Sequence, residues 1–252
     1  MKVQKGEFMK LGKVIGVGNT AKVYEWEEGK VLKLFHEGYP QEYIWNEYHN
    51  ARAIGLMNFE KPVAYEIITN DESTGIIYDK VEGESLLDWV MKTGNLTGCA
   101  EYMASLHKAI LKNAVTDLPN YKDFLKQHIK NANIELGKKQ EVIQRINQLP
   151  DGDTLCHGDF HPGNILLSED RVSVIDFMNL CHGHYLYDIA RTVFLVEYTP
   201  IPEDAQDKDL IRYFKMTLSE LYLQQMEVTK EMIQEYLNII VLARKGECPN
   251  EQ

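Results

Sequence analysis

Asp159 and Asn164 stand in the pattern Asp-x-x-x-x-Asn within HGDFHPGN, and Asp176 follows in VIDF after a strand, a turn and a second strand. A carboxylate placed to take a hydroxyl proton, with an amide oxygen and a second carboxylate to hold magnesium on phosphates, is the equipment of phosphoryl transfer. One such spacing is common by chance, so its weight depends on what lies upstream. Residues 16–23, GVGNTAKV, form a small-residue loop between two strands, where backbone N–H groups can approach phosphate oxygens with no side chain in the way. Lys33 sits mid-strand in VLKLF between apolar neighbours, which suits either a charge guarding a sheet edge or a buried cation awaiting an anion. Glu47, in the segment that follows, is a candidate partner for it.

Other chemistries compete for the same residues. Gly16 and Lys22 have the separation of a phosphate-binding loop, but Ala21 replaces its last glycine and Val23 replaces its cation-binding hydroxyl. Strand rather than helix follows, which also excludes a dinucleotide fingerprint. The stretch LCHG at 155–158 returns at 180–183, so Cys156, His157, His161, Cys181, His182 and His184 raise the question of zinc. Zinc ligands usually arrive at short paired spacings, whereas here each Cys and His are adjacent. Adjacent residues of an extended segment point to opposite faces, so each pair offers one ligand, and ordinary packing roles suit these groups better.

The elements that must position the phosphoryl-transfer residues can be read from periodicity. Residues 11–35 alternate with the period of a half-buried antiparallel sheet, with LGKVIGVG, KVYEW and KVLKLF as strands and 27–30 as a turn. Residues 41–57 read as a helix carrying Ile44, Tyr48, Ala51 and Ile54 roughly on one face. VAYEIIT and TGIIYDKV follow as two strands joined by a polar turn at 70–73. After residue 84 the pattern turns helical, over 85–93, 99–113, 121–137, 141–148, 205–226 and 229–244, interrupted by the hairpin-like NILL-SEDR-VSVIDF.

Length and composition fit one or two self-folding globular units: 252 residues, 44% hydrophobic and 26% charged. A formal net charge of −11 opposes binding to nucleic acid or to an anionic membrane and accommodates a cationic partner more easily. No apolar run approaches the roughly 20 residues that span a bilayer, and the first eighteen residues lack the apolar core of a secretory signal. Four cysteines without framework spacing suit reduced thiols. A cytoplasmic protein is expected, as a monomer or a homodimer.

In the order Gly-loop, VLKLF, NEYHNARAIG, IIYDKVEG, MASLHKAI, HGDFHPGNIL, VIDF and YDIAR, the chain resembles the aminoglycoside phosphotransferase and choline kinase-like family from about residue 12 to 196. HGDFHPGN followed by VIDF is the most specific part. The resemblance implies an α+β, protein kinase-like two-lobed fold, with a small antiparallel sheet lobe over 1–81 that binds nucleotide and a larger helical lobe over 82–252 that holds the catalytic loop and substrate site. It implies ATP and magnesium as cofactors, Asp159 as the catalytic base, and Asn164 and Asp176 as the metal ligands. Lys33 would grip the α and β phosphates with Glu47 steadying it, while Gly16, Gly18 and Asn19 would cover the phosphates. Val23 and Val31 would line the adenine slot with Tyr78 at its back, and the backbone near Asp79 and Val81 would meet the adenine edge. The acceptor would be a hydroxyl of a small molecule such as an aminoglycoside, choline or a related amino-alcohol or sugar. Its pocket is expected between the 164–177 hairpin and the helices after Pro119.

Departures from related kinases sharpen the expectation. Ala21 replaces a loop glycine, Met178 stands where protein kinases have glycine after Asp-Phe, and no Ala-Pro-Glu activation segment is present. These favour a small-molecule kinase over a protein kinase. The presence of every catalytic side chain counts against a nucleotide-binding protein without turnover. His157 and His107 read as structural imidazoles, and Asp188 as an anchor beneath the catalytic loop.

Overall fold

Strand alternation in the first third of the chain becomes a mixed sheet in the computed structural model, which describes residues 4–5, 11–69, 73–169 and 171–249. Its strands are β1 (Gln4–Lys5), β2 (Val14–Val17), β3 (Ala21–Glu25), β4 (Lys30–Phe35), β5 (Ala64–Thr69) and β6 (Thr74–Asp79), with helix α1 (Gln41–Ala53) between β4 and β5. They lie in the order β1-β5-β6-β4-β3-β2, antiparallel except for β1 beside β5. Because β4 is inside the sheet, the edge role for Lys33 is excluded. The polar turn expected at 70–73 falls, in residues 70–72, outside the described residues, as do Asp170 of the second hairpin and most of the first ten residues.

Cross-strand register decides what this sheet presents. Gly16 pairs with Val23, Val23 with Lys33, Lys33 with Ile76, and Val31 with Tyr78. Directly opposed residues share a face, so one face carries Gly16, Val23, Val31, Lys33, Ile76 and Tyr78. The other face buries Leu32, Ile68 and Ile77, with Trp26 and Leu34 packed against them. Helix α1 lies against β5 and β6 and buries Ile44, Glu47, Asn50 and Ala51. It stops at Ala53, short of the expected residue 57, because the Gly55 N–H turns back to Arg52 O (3.2 Å) and tightens the last turn.

The remaining elements are β7 (Glu84–Ser85), α2 (Leu86–Thr93), α3 (Leu96–Leu111), α4 (Tyr121–Asn131), α5 (Leu136–Gln148), β8 (Thr154–Cys156), a 3₁₀ turn (Pro162–Asn164), β9 (Ile165–Leu167), β10 (Val172–Val174), β11 (Cys181–Gly183), α6 (Tyr185–Val193) running into a π-helical turn (Phe194–Tyr198), α7 (Lys208–Met226) and α8 (Lys230–Glu247). The chain divides into two compact units, one of Met1–Glu84 with Leu166–Asn179 and one of Ser85–Ile165 with Leu180–Gln252. The first holds the six-stranded sheet, α1 and β10. The second is helical, with the ribbon β8–β11 at the start of its key loop.

Within the helical unit the amphipathic rows read from sequence meet one another. Met103, Leu106 and Ile110 of α3 are buried where α3 packs on α7, which contributes Leu218, Tyr222 and Leu223. Helix α4 packs on α8, and a Cβ on Gly246 would lie 2.0 Å from His128 O, so that crossing tolerates only glycine. The two helices expected over 121–137 and 141–148 are found with their boundary moved toward the amino end, α4 ending at Asn131 and α5 starting at Leu136, because Ala132 leaves the helix with ψ 140 and its N–H closes on His128 O (2.9 Å). Helix α6 was not anticipated. Its nine residues do carry a polar stripe of Asp188, Arg191 and Thr192 at helical spacing, but all seven residues Tyr187–Val193 are buried, so that stripe faces the interior rather than solvent.

Candidate active site

Sheet register brings Lys33 to the face where helix α1 supplies Glu47. Lys33 Nζ donates to both carboxylate oxygens of Glu47, at 2.7 and 2.9 Å, and to Asp176 Oδ1 at 3.2 Å. The Lys33 side chain is 13% exposed and that of Glu47 only 1%. Burial opposes the lysine charge, but Asp176 and Glu47 outweigh it and hold the ammonium well above the ordinary lysine value. Burial pushes the Glu47 carboxyl up from its ordinary value, with Lys33 and the Tyr78 hydroxyl, which donates to Glu47 Oε1 at 3.0 Å, pulling it back. The lysine therefore remains a cation at neutral pH, anchored on one side by Glu47.

Asp176 reaches this cluster from the segment after β10, with a positive φ of 69°. Its carboxylate is about one third exposed, so it has room to take a ligand in addition to Lys33. Phe177 beside it is buried.

The small-residue loop is a tight hairpin. Asn19 and Thr20 form its tip, closed by a hydrogen bond from the Gly18 N–H to Ala21 O (2.9 Å), with Gly18 and Asn19 exposed and Gly16 half-buried. At the far end of the same face, Val31 is buried and Val23 half-buried. Tyr78 is 6% exposed with its hydroxyl committed to Glu47. The Asp79 N–H is bonded to Val63 O (3.1 Å) and that of Lys80 to Gly29 O (2.8 Å), whereas the backbone of Val81 takes no such partner among the described residues.

In the helical unit, the loop after β8 displays Asp159. Asn164, ending the 3₁₀ turn, donates through Nδ2 to Asp159 O (2.9 Å) and to Asp159 Oδ2 (3.0 Å). With its amide nitrogen so committed, Asn164 presents Oδ1 as the atom free to meet a cation. His161 Nδ1 accepts from the Gly163 N–H (3.1 Å) and caps this turn. The loop needs Gly158, whose φ is 74°.

Asp188 holds the loop from beneath. Fully buried on α6, it accepts from the His157 N–H (2.6 Å), the Gly158 N–H (2.8 Å) and His107 Nε2 (2.9 Å). A carboxylate only accepts, so His107 carries its proton on Nε2, and the Tyr222 hydroxyl meets Nδ1 at 2.6 Å. Burial opposes the Asp188 charge, and the His107 hydrogen bond and the surrounding donors outweigh it, holding the carboxyl below its ordinary value. Buried Arg191, one turn further along α6, donates through Nε to Gly158 O (3.0 Å) and in two-pronged fashion to the carboxylate of Glu247 at the end of α8. Sequence reading singled out His107, His157 and Asp188 as structural. It missed the roles of Tyr222, Arg191 and Glu247; Arg191 stood in the quoted YDIAR run, whereas nothing set Tyr222 and Glu247 apart from the other polar residues of α7 and α8.

The Cys-His echo is a strand pairing. Cys156 lies opposite Cys181 in the β8–β11 ribbon, and His182 opposite Leu155. His182 bonds Leu118 O (2.7 Å) and His184 caps α6, so these imidazoles have structural partners. All four cysteines are free thiols, and among the described residues no group of three or more His, Cys, Asp or Glu converges as a metal cage. Taken unit by unit, the Asp176 carboxylate of the first and the Asn164 side-chain amide of the second each offer an oxygen of the kind hard cations prefer.

The family model described as "Phosphotransferase enzyme family" matches residues 12–225. A comparison with curated protein sequences finds no match. Among solved structures, an amicoumacin kinase in complex with AMP-PNP, Ca2+ and Ami is 19% identical, with a TM-score of 0.62 over 93% of this chain and 79% of that one. The aminoglycoside phosphotransferase APH(3'')-Id from Streptomyces rimosus, with ADP and streptomycin, is 14% identical with a TM-score of 0.59, over 88% of this chain and 90% of its own. A choline/ethanolamine kinase family protein from Mesorhizobium loti is 11% identical with a TM-score of 0.59, over 97% and 83% respectively. These likenesses show the fold: an α+β, kinase-like fold shared with those structures.

Proposed function

Because the chain belongs to the phosphotransferase enzyme family, we propose that it transfers the γ-phosphoryl group of ATP, with magnesium, to a hydroxyl of a small molecule. The observation that carries this reading is the three-way contact of Lys33 with Glu47 and Asp176, a cation held on the sheet face and flanked by a part-exposed carboxylate. Lys33 would bind the α and β phosphates, with Glu47 fixing its direction. Gly16, Gly18 and Asn19 would cover the phosphates, and Val23, Val31 and Tyr78, with the backbone near Asp79 and Val81, would seat the adenine. The first unit is thus the nucleotide-binding one and the second the unit of the catalytic loop and acceptor.

Asp176 and Asn164 would hold magnesium, which neutralises charge on the phosphates when bound. Asp159 would take the acceptor hydroxyl's proton as its oxygen bonds to the γ-phosphorus and the bond to the bridging oxygen of ADP breaks. Asn164, donating to Asp159, holds that carboxylate in one orientation, and the Asp188 and Arg191 contacts to Gly158 keep the loop backbone fixed. Most of the rate gain then comes from positioning and charge, with no covalent intermediate. The acidic surface favours a cationic acceptor such as an aminoglycoside, choline or another amino-alcohol, acting in the cytoplasm.

The test is incubation with ATP and magnesium against a panel of aminoglycosides, amino-alcohols and sugars, following ADP release and product mass. An acceptor whose mass rises by one phosphoryl group, only with metal present, supports the proposal. Magnesium-dependent nucleotide binding with no transfer to any acceptor would instead favour a binding protein.

A further inference from the structure

Helix α1 carries a second polar residue in its buried face. Asn50 follows Glu47 by three positions, so both project from the same side of the helix, and Asn50 is 7% exposed. Its Nδ2 donates to Phe177 O at 2.8 Å and to Met178 O at 3.2 Å. Both partners are carbonyls, so only the amide nitrogen can face them, and the orientation of the side chain is fixed by chemistry. The β4–α1 connection adds a second hold: the Tyr39 hydroxyl meets Met178 Sδ at 3.1 Å, and the Tyr39 ring stacks on Phe35 at 5.4 Å. The Phe35 ring lies beneath Lys33 Nζ at 5.5 Å.

These contacts land on the two residues that follow Asp176, which itself holds a backbone conformation that L-residues rarely adopt, with φ 69°. Such a conformation persists only where its surroundings over-determine it. We propose that Asn50, aided by Tyr39, is a positioning residue that sets the Asp176 carboxylate for its cation by gripping the Phe177 and Met178 backbone and side chain. One helix would then fix both halves of the phosphate site, the lysine through Glu47 and the cation ligand through Asn50. Met178, which departs from the glycine of protein kinases at this position, becomes an anchored residue rather than a pivot.

The inference rests on the function proposed above, and its test separates the two. Binding of a fluorescent ATP analogue is titrated with magnesium for the wild type, Asn50→Leu, Tyr39→Phe, Asp176→Asn and the double variant Asn50→Leu/Asp176→Asn. Asn50→Leu is expected to raise the magnesium concentration for half-maximal binding by roughly 10-fold or more, as loss of a group orienting a metal ligand does. Its metal-free nucleotide affinity should stay at the wild-type level. Tyr39→Phe removes one hydroxyl from a half-buried ring, keeps the fold if Asn50→Leu does not, and should shift the requirement in the same direction. In the Asp176→Asn background, Asn50→Leu should add nothing, which a general loss of structure would not reproduce. A folded Asn50→Leu or Tyr39→Phe protein with the wild-type magnesium requirement overturns the inference alone. A wild type whose nucleotide binding ignores magnesium overturns the function and the inference together.

Discussion

Asp188 is a buried carboxylate that meets two backbone N–H groups and an imidazole at once, and it turns the shape of the catalytic loop into a pH-dependent quantity. Its carboxyl is held below the ordinary value of 3.8, so the folded state binds that proton less readily than the unfolded chain does. The stabilisation it supplies is complete above 3.8 and is lost as pH falls through its depressed folded value. Asp188→Asn should therefore lower stability near neutral pH by about 2 kcal/mol, because its NH2 cannot accept from the loop amides. Chemical denaturation across pH should show the gap between wild type and variant shrinking in acid; a constant gap would remove the charge from the explanation. Sequence alone placed Asp188 beneath the loop, and it placed Lys33 near Glu47. It could not reveal that Tyr78, assigned to the adenine slot, sends its hydroxyl to Glu47, because that depends on which face of β6 meets α1.

At the scale of elements, legibility followed periodicity. Residues 11–35 alternate, β5 and β6 show as short β-rich apolar runs flanking a polar turn, and α1, α3, α7 and α8 carry apolar rows, so the existence of these elements was readable. Strands β8 and β11 have three residues each, too few for a pattern, and appeared instead as an unexplained Cys-His-Gly echo. Helix α6 went unread although its polar stripe recurs at helical spacing, because it is only nine residues long and turns that stripe, with Asp188 and Arg191, inward to the loop. Arg191 links Gly158 to the carboxyl end of α8 through Glu247, whose carboxyl burial pushes up and Arg191 pulls further down, to below its ordinary value. Removing one member of such a buried pair is costly, so Glu247→Gln should destabilise by roughly 3 kcal/mol. It should also lower kcat through the loosened Gly158 carbonyl while leaving the nucleotide KM unchanged, since the nucleotide is assigned to the other unit. An equal effect on nucleotide KM would contradict that division of labour.

For the whole molecule, a net charge of −11 is the property that sequence reads directly and that no contact modifies. Among the described residues no helix is long and apolar enough to cross a membrane. If the acceptor is cationic, the acidic surface should raise its encounter rate, and kcat/KM for it should fall as ionic strength rises past about 0.1 M while that of a neutral acceptor stays level. Identical salt dependence for both would argue that the acidity serves solubility alone. The most direct measurement of the central claim is single-turnover transfer from γ-labelled ATP to an accepted hydroxyl by the wild type and by Asp159→Asn. Metal-dependent transfer that falls about 10²–10⁴-fold in Asp159→Asn, with nucleotide affinity retained, is the predicted result. Transfer at the wild-type rate without the Asp159 carboxylate would contradict it.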